Sequence, residues 1–151
     1  MLGEFAALGP VGQIAYVDAD MEAAVRFWTR TVGAGPFYLF EHPHMDVARY
    51  RGQRVQLDIS IALGYWNDLQ IEIIQQHNQS PSIYIDQQRA GDKNLNHICI
   101  YVDDLAQARE VCKRTNSEIV QEMYVNGKGG LYADAGGSGR LIECSTTMEH
   151  R

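Results

Sequence analysis

A chain of 151 residues that is 45% hydrophobic and 21% charged can bury one core of ordinary size, and one domain is its natural organisation. Its net charge of -6 comes without a cluster of lysine or arginine, which excludes the phosphate-neutralising surface that nucleic-acid binding requires. There is no run of about 18 apolar residues and no basic-then-apolar leader, so a cytoplasmic protein with no membrane partner is expected. Cys99, Cys112 and Cys144 are odd in number and form no CxxC pair, which fits thiols kept reduced.

Taken in chain order, Val11 to Val17 is a short apolar run that reads as a strand. Asp18 and Asp20 follow as candidate helix N-caps. Met21, Ala24, Val25 and Trp28 then recur at i, i+3, i+4 and i+7, one apolar helix stripe that Gly33 and Gly35 stop. Strands are predicted over Gly35 to His42, Val47 to Tyr50, Leu57 to Leu63 and Leu69 to Gln75. Asn78 to Asn94 is polar, holds Pro81 and the weakly helical Ser82 to Arg89, and reads as a connector.

The order then starts again. Ile98 to Val102 is a strand, Asp104 a cap, and Leu105, Ala108 and Cys112 an apolar stripe on a helix ending near Asn116. Glu118 to Val125, Leu131 to Asp134 and Leu141 to Thr146 follow as strands, with the glycine-rich stretches Gly127 to Gly130 and Gly136 to Gly139 as turns between them.

The chain is thus written twice. With Gln13 set over His97, at an offset of 84, Ile14 falls on Ile98, Asp20 on Asp104, Ala24 on Ala108, and Arg30-Thr31 on Arg114-Thr115. Leu69 to Ile73 lies over Arg140 to Cys144 at an offset of 71, so the first copy carries 13 extra residues. The reading is a single domain over 1–151, with a first module at about 10–77, a connector at 78–94 and a second module at 95–147. Gln13, Glu72, His97 and Glu143 occupy repeat-equivalent places. In Ile71-Glu72-Ile73 and Ile142-Glu143-Cys144 the carboxylate alternates with apolar neighbours, which sends both glutamates to one face if the neighbours pack under helices. A buried carboxylate is costly unless it is paired or bound to a metal, so two of them with an imidazole in reach suggest a cation site. Singly, each would read as a satisfied strand residue.

The segments Gly12-Gln13-Ile14-Ala15-Tyr16-Val17-Asp18, Ile71-Glu72-Ile73-Ile74, Asn96-His97-Ile98-Cys99-Ile100-Tyr101-Val102-Asp103-Asp104 and Arg140-Leu141-Ile142-Glu143-Cys144 together resemble the vicinal oxygen chelate superfamily. That group includes glyoxalases, methylmalonyl-CoA epimerases, extradiol dioxygenases and bleomycin-resistance proteins. The resemblance runs from about Pro10 to Thr146. It implies an α+β fold of two tandem βαβββ modules whose sheet curls around a metal-binding cleft. It further implies Gln13, Glu72, His97 and Glu143 as ligands of a divalent ion (Zn, Ni, Co, Mn or Fe), Glu143 and Glu72 as the catalytic carboxylates, and a homodimer. The arginine that glutathione-dependent glyoxalases carry four residues past the first ligand is Val17 here. Epimerases usually begin with His where this chain has Gln13, and their second catalytic carboxylate falls where Ala48 and Arg49 stand. Gln13 also argues against the two-histidine iron site of extradiol dioxygenases.

An oxygen-rich divalent site can act as a Lewis acid on a substrate with neighbouring oxygens, and a carboxylate beside it can move a proton. The expected function is therefore a metal-dependent isomerase or lyase acting on a small carbonyl compound or acyl thioester through a metal-stabilised enolate. The alternative is a metal-free sequestering protein of the bleomycin-resistance type. Tyr38, Phe40, Tyr50 and Trp66 are aromatic candidates for the substrate wall, and Arg49 a partner for a substrate anion. His42-Pro43-His44, in the extra segment, reads as a surface loop and candidate lid.

Overall fold

The computed structural model describes residues 4–146. Strand β1 (Val11–Val17) leads into helix α1 (Met21–Arg26), which starts where the Asp20 carboxylate accepts a hydrogen bond from the Ala23 amide at 3.0 Å. A π-helical turn over Phe27–Val32 extends it to Gly33, whose φ of 85° supplies the left-handed stop that glycine adopts without strain. Then come β2 (Tyr38–Glu41), the short pair β3 (Val47–Tyr50) and β4 (Gln53–Arg54), β5 (Ile59–Trp66), β6 (Leu69–Gln76) and, in the connector, α2 (Ile85–Ala90). The second module is β7 (Leu95–Tyr101), α3 (Leu105–Arg114) capped by Asp104, β8 (Glu118–Val125), β9 (Lys128–Asp134) and β10 (Leu141–Ser145).

The ten strands of the described residues form one mixed sheet in the order β2-β5-β6-β1-β7-β10-β9-β8-β3-β4. Its centre is the antiparallel pair β1–β7, where Ile14 faces Ile98, Gln13 faces Cys99 and Ala15 faces His97. The 84-residue offset equates Ile14 with Ile98, and it interchanges the flanking pairs by equating Gln13 with His97 and Ala15 with Cys99, so the two-fold axis relating the modules runs through the Ile14–Ile98 pair. Strands β2 and β3 are first and ninth in the order, about 38 Å apart in a flat sheet. The five residues 42–46 that join them span at most about 20 Å. The sheet must therefore curl, and this short crossover segment bridges the mouth of the curl.

Two expectations need correction. Val47 to Tyr50 is a strand as read, but it belongs to the first module only by sequence: it pairs with β8 of the second module, Ala48 opposite Met123. The glycine-rich turn is also shorter than expected. Asn126 and Gly127 alone make the two-residue hairpin turn, both at positive φ, and Lys128 to Gly130 already lie in β9.

Alternation along the strands divides the sheet into two faces. On the convex face, Ile73 and Ala62 pack under Met21 and Ala24 of α1, while Ile100, Leu131, Ala133 and Cys144 pack under Ala108 and Cys112 of α3. Each isoleucine or leucine fully covered in this way contributes about 2 to 3 kcal/mol. The concave face is plugged at one end by Ala15, Val17, Ile59, Ile74 and Tyr84, with Met45 and Met123 closing over them. The remainder of that face is open and carries the polar residues.

Candidate metal centre and cleft

Strand register sets four side chains on the concave face in two rows. One row runs Glu72, Ala15, His97 across β6, β1 and β7; the next runs Gln70, Gln13, Cys99, Glu143 across β6, β1, β7 and β10. The residues between the candidate ligands, Ala15 and Cys99, are small and related by the module two-fold. They leave room between longer side chains on either side.

At the centre stands His97, whose side chain is fully buried. Its Nε2 is 3.1 Å from Glu143 Oε1 and 3.5 Å from Glu72 Oε1, so carboxylates from the two modules approach one imidazole nitrogen. The other ring nitrogen, Nδ1, is 2.7 Å from Asn96 Oδ1. Asn96 Nδ2 donates to the Ile83 carbonyl and to Gln87 Oε1, which fixes its amide orientation and makes Oδ1 an acceptor. Nδ1 therefore carries the hydrogen and Nε2 faces the carboxylates. Tyr132 meets the His97 ring at a centroid distance of 5.1 Å and an interplanar angle of 86° and holds it in plane.

Burial opposes a charged imidazole, but Glu143 and Glu72 override it and lift the His97 pKa to about 9. Burial raises the Glu72 pKa as well; His97 opposes that rise and Glu143 adds to it. Cys99 lies beside them, yet burial first and the carboxylates second push its thiol far up, so it is no nucleophile.

Gln13 is oriented by its neighbours. Its Nε2 donates to Gln70 Oε1 at 2.7 Å, and Gln70 Oε1 also accepts from Tyr101 OH at 3.1 Å. Among the described residues, the buried side-chain atoms without a hydrogen-bond partner are Gln13 Oε1 and His97 Nε2. Both are atoms that bind cations; Gln13 Oε1 is left unpaired, at a cost of about 1 to 3 kcal/mol, whereas His97 Nε2 makes ion-pair approaches to the two carboxylates without a hydrogen bond. Glu72, His97 and Glu143 each offer a ligand atom within 4.8 Å of the other two. A mixed set of amide oxygen, imidazole nitrogen and two carboxylates fits a divalent transition ion. Gln13, Glu72, His97 and Glu143 are the residues named as ligands from the sequence, and their donor chemistry is of a kind that holds such an ion.

If Asn96 holds the His97 tautomer, Asn96→Ala weakens ion binding about 10- to 100-fold with the ligands untouched. Zinc titration against a chromophoric chelator measures this. Unchanged affinity would show that the carboxylates alone orient the ring.

The centre lies in a cleft of about 310 Å³. Its walls are apolar, with Phe40, Met45, Ile61, Leu63, Met123 and Val125, and Lys128 adds a cation. Pro43, His44 and Met45 of the crossover segment line it, so the loop read as a lid does border the cleft. Of the five predicted substrate residues, Phe40 lines the cleft and the others do not. Tyr38 shares its face but stands 66% exposed on edge strand β2. Trp66 falls on the opposite face from Ile61 and Leu63 by alternation, at the tip of the β5–β6 hairpin. Arg49 lies opposite Glu122, whose carboxylate accepts from Arg109 of α3, and Tyr50 packs beside the Arg51 guanidinium. The sequence reading missed Gln70, Asn96, Tyr101 and Lys128. Gln70 could have been found two residues before Glu72 on the same strand face.

A family model described as Glyoxalase/Bleomycin resistance protein/Dioxygenase superfamily matches residues 12–133. Among curated protein sequences none matches the chain. Solved structures share the fold. The hypothetical protein BH1468 from Bacillus halodurans superposes with a TM-score of 0.68 at 12% identity, over 94% of this chain and 96% of its own. A methylmalonyl-CoA epimerase from Mycobacterium tuberculosis gives 0.61 at 14% identity, covering 89% and 85%. One from Streptomyces coelicolor, complexed with 2-nitronate-propionyl-CoA, gives 0.60 at 12%, covering 95% and 98%. Among the described residues no helix is long and apolar enough to cross a membrane.

Proposed function

Because the chain belongs to the Glyoxalase/Bleomycin resistance protein/Dioxygenase superfamily, the vicinal oxygen chelate group, we propose that it is a divalent-metal-dependent isomerase or lyase that moves a proton at the carbon beside a carbonyl. Gln13, Glu72, His97 and Glu143 would hold the ion. When bound, it supplies Lewis acidity, polarising the substrate carbonyl and making the neighbouring C–H acidic. Glu143 takes that proton and Glu72, its counterpart in the other module, stands on the far side of His97 to return one. His97, locked by Asn96 and Tyr132, fixes the point the two carboxylates share. The apolar walls exclude water from the acidic carbon, and Lys128 meets an anionic part of the substrate.

The carrying observation is the convergence of the unpaired Gln13 Oε1, the buried His97 Nε2 and two carboxylates at one apolar cleft. The cleft volume is near the lower end for small-molecule sites, so it suits an acyl group whose carrier lies outside. The epimerase structures bind acyl-CoA compounds, which makes acyl thioesters the first class to test. The test is solvent deuterium uptake at the α-carbon of acyl-CoA thioesters and 2-oxo compounds, with and without chelator. Ion-dependent uptake supports the reading. Binding that survives chelation, with no uptake from any of these compounds, would replace it with the sequestering protein. A homodimer is also proposed, since edge strand β2 leaves Tyr38, Leu39 and Phe40 about half exposed or more. Sedimentation equilibrium reads the assembly.

Ion affinity should depend on pH, because the ion and a proton compete for His97 Nε2. The raised pKa means that the proton is held below about pH 9 and must be displaced there. Affinity should therefore fall as pH falls, about tenfold per unit below 9 for one displaced proton. Cobalt titrations from pH 6 to 9 check the slope. A flat profile would remove His97 from the ligand set. The same proton stabilises the ion-free fold fully below the unfolded histidine value, and that contribution is lost as pH rises through about 9.

A further inference from the structure

A second group of ligand-type side chains lies outside the cleft's centre. His42 follows the last residue of β2, Asp58 precedes β5 and His77 follows β6, three strands adjacent in the sheet. His42 Nδ1 is 2.5 Å from Asp58 Oδ1, and the His42 and His77 rings face each other at 4.4 Å with 35° between their planes. One ligand atom from each of the three lies within 4.8 Å of the other two. We propose that His42, Asp58 and His77 form a second divalent-metal site, selective for nitrogen-preferring transition ions such as zinc.

The surroundings are those of a supported site. The His77 amide donates to the Asp58 carbonyl at 2.7 Å, so the ladder of β5 and β6 sets these two positions opposite one another. Buried Ser60 engages His77 Nε2 at 2.7 Å, which orients the ring and leaves Nδ1 as its second ligand-capable nitrogen. His42 is held at φ 49°, an uncommon conformation for a residue with a side chain, where the chain turns out of β2 into the crossover segment. A tetrahedral ion with bonds of about 2.0 to 2.1 Å places its ligands about 3.4 Å apart. Small side-chain rotations on an exposed rim reach that spacing. Two imidazoles and one carboxylate favour zinc, nickel or cobalt over magnesium or calcium, with water completing the shell.

The site is separate from the one at His97. Along β6, His77 is five residues from Glu72, on the order of 16 Å, whereas a two-metal centre needs about 4 Å. Its position gives it a structural role: an ion there would tie the start of the crossover segment to the β5–β6 hairpin. Pro43, His44 and Met45, the next three residues, line the cleft. The inference does not rest on the function proposed above.

Cobalt titration of tag-free, chelator-stripped protein tests it by visible absorption. The parent chain is expected to bind two ions. His42→Ala and His77→Ala should each lose one, with at least 100-fold weaker binding there, and should retain the ion that His97→Ala removes. If the parent binds a single ion, its loss in both His42→Ala and His77→Ala supports the site. Unchanged stoichiometry and affinity in those two variants overturn it. Both side chains are exposed, and circular dichroism checks that the variants fold.

Discussion

His97→Ala, made in a His77→Ala background so that the rim site is silent, is expected to bind zinc at least about 10³-fold more weakly than its background and to show no measurable proton exchange. That loss goes beyond what a residue acting through a ligand produces, about 10- to 100-fold. The reason is geometric. Both carboxylates approach His97 Nε2, at 3.1 and 3.5 Å, and Nε2 is the ring nitrogen that Asn96 leaves for a cation. The substitution also sets Glu72 and Glu143 against each other in a buried space with no positive partner. Breaking a buried ion pair from one side costs about 3 to 5 kcal/mol, and the ion-free variant should be destabilised on that scale. Part of the cost is relieved by a proton on Glu72, whose pKa burial already raises. Urea unfolding of chelator-treated proteins separates this effect from lost ion binding. A variant that keeps its background's zinc affinity would sink the metal centre, whatever its stability.

What could be read from the sequence, and what could not, follows from the range of the interactions. The cap residues Asp20 and Asp104, the two helix stripes and the strand Val47 to Tyr50 are local patterns, and local patterns were sufficient for them. The repeat extended that reach. Equating Gln13 with His97 and Glu72 with Glu143 put four side chains at repeat-equivalent positions, and alternation sent the two glutamates to one face; that Gln13 and His97 share that face took the strand register. Partner choice was the part out of reach. Nothing local in Val47 to Tyr50 says that it pairs with β8 of the other module, so Arg49 and Tyr50 were assigned to a cleft they do not line. Trp66 lies beyond the strand predicted to end at Leu63, and the longer β5 turns it to the face opposite Ile61 and Leu63. Asn96 was passed over because its role rests on contacts with Ile83 and Gln87 in the connector. The cluster of His42, Asp58 and His77 is dispersed over 36 positions and becomes a group only when β2, β5 and β6 lie side by side.

Glu143→Gln separates holding an ion from moving a proton. The side chain keeps its size and one oxygen, the same donor type that Gln13 offers, so the ion should stay bound, at weaker affinity. The amide cannot accept the substrate's proton, and α-proton exchange on the face that Glu143 serves should fall about 10²- to 10⁴-fold. The strand beside it leaves little freedom for an alternative pose: a Cβ at Gly130 would sit 3.0 Å from Glu143 Oε2, so the carboxylate lies tight against β9. Glu72→Gln, its two-fold counterpart, completes the argument. An epimerase that removes a proton on one face and returns it on the other needs both carboxylates, and both variants should lose net epimerisation. In that case each retains exchange with solvent from the face its remaining carboxylate serves. A reaction using one base loses activity in one variant and keeps most of it in the other. Proton-exchange rates of the two variants, measured with the ion content of each sample, distinguish these cases. If both glutamines leave exchange at the parent rate, neither carboxylate is the base, and the two are ligands alone.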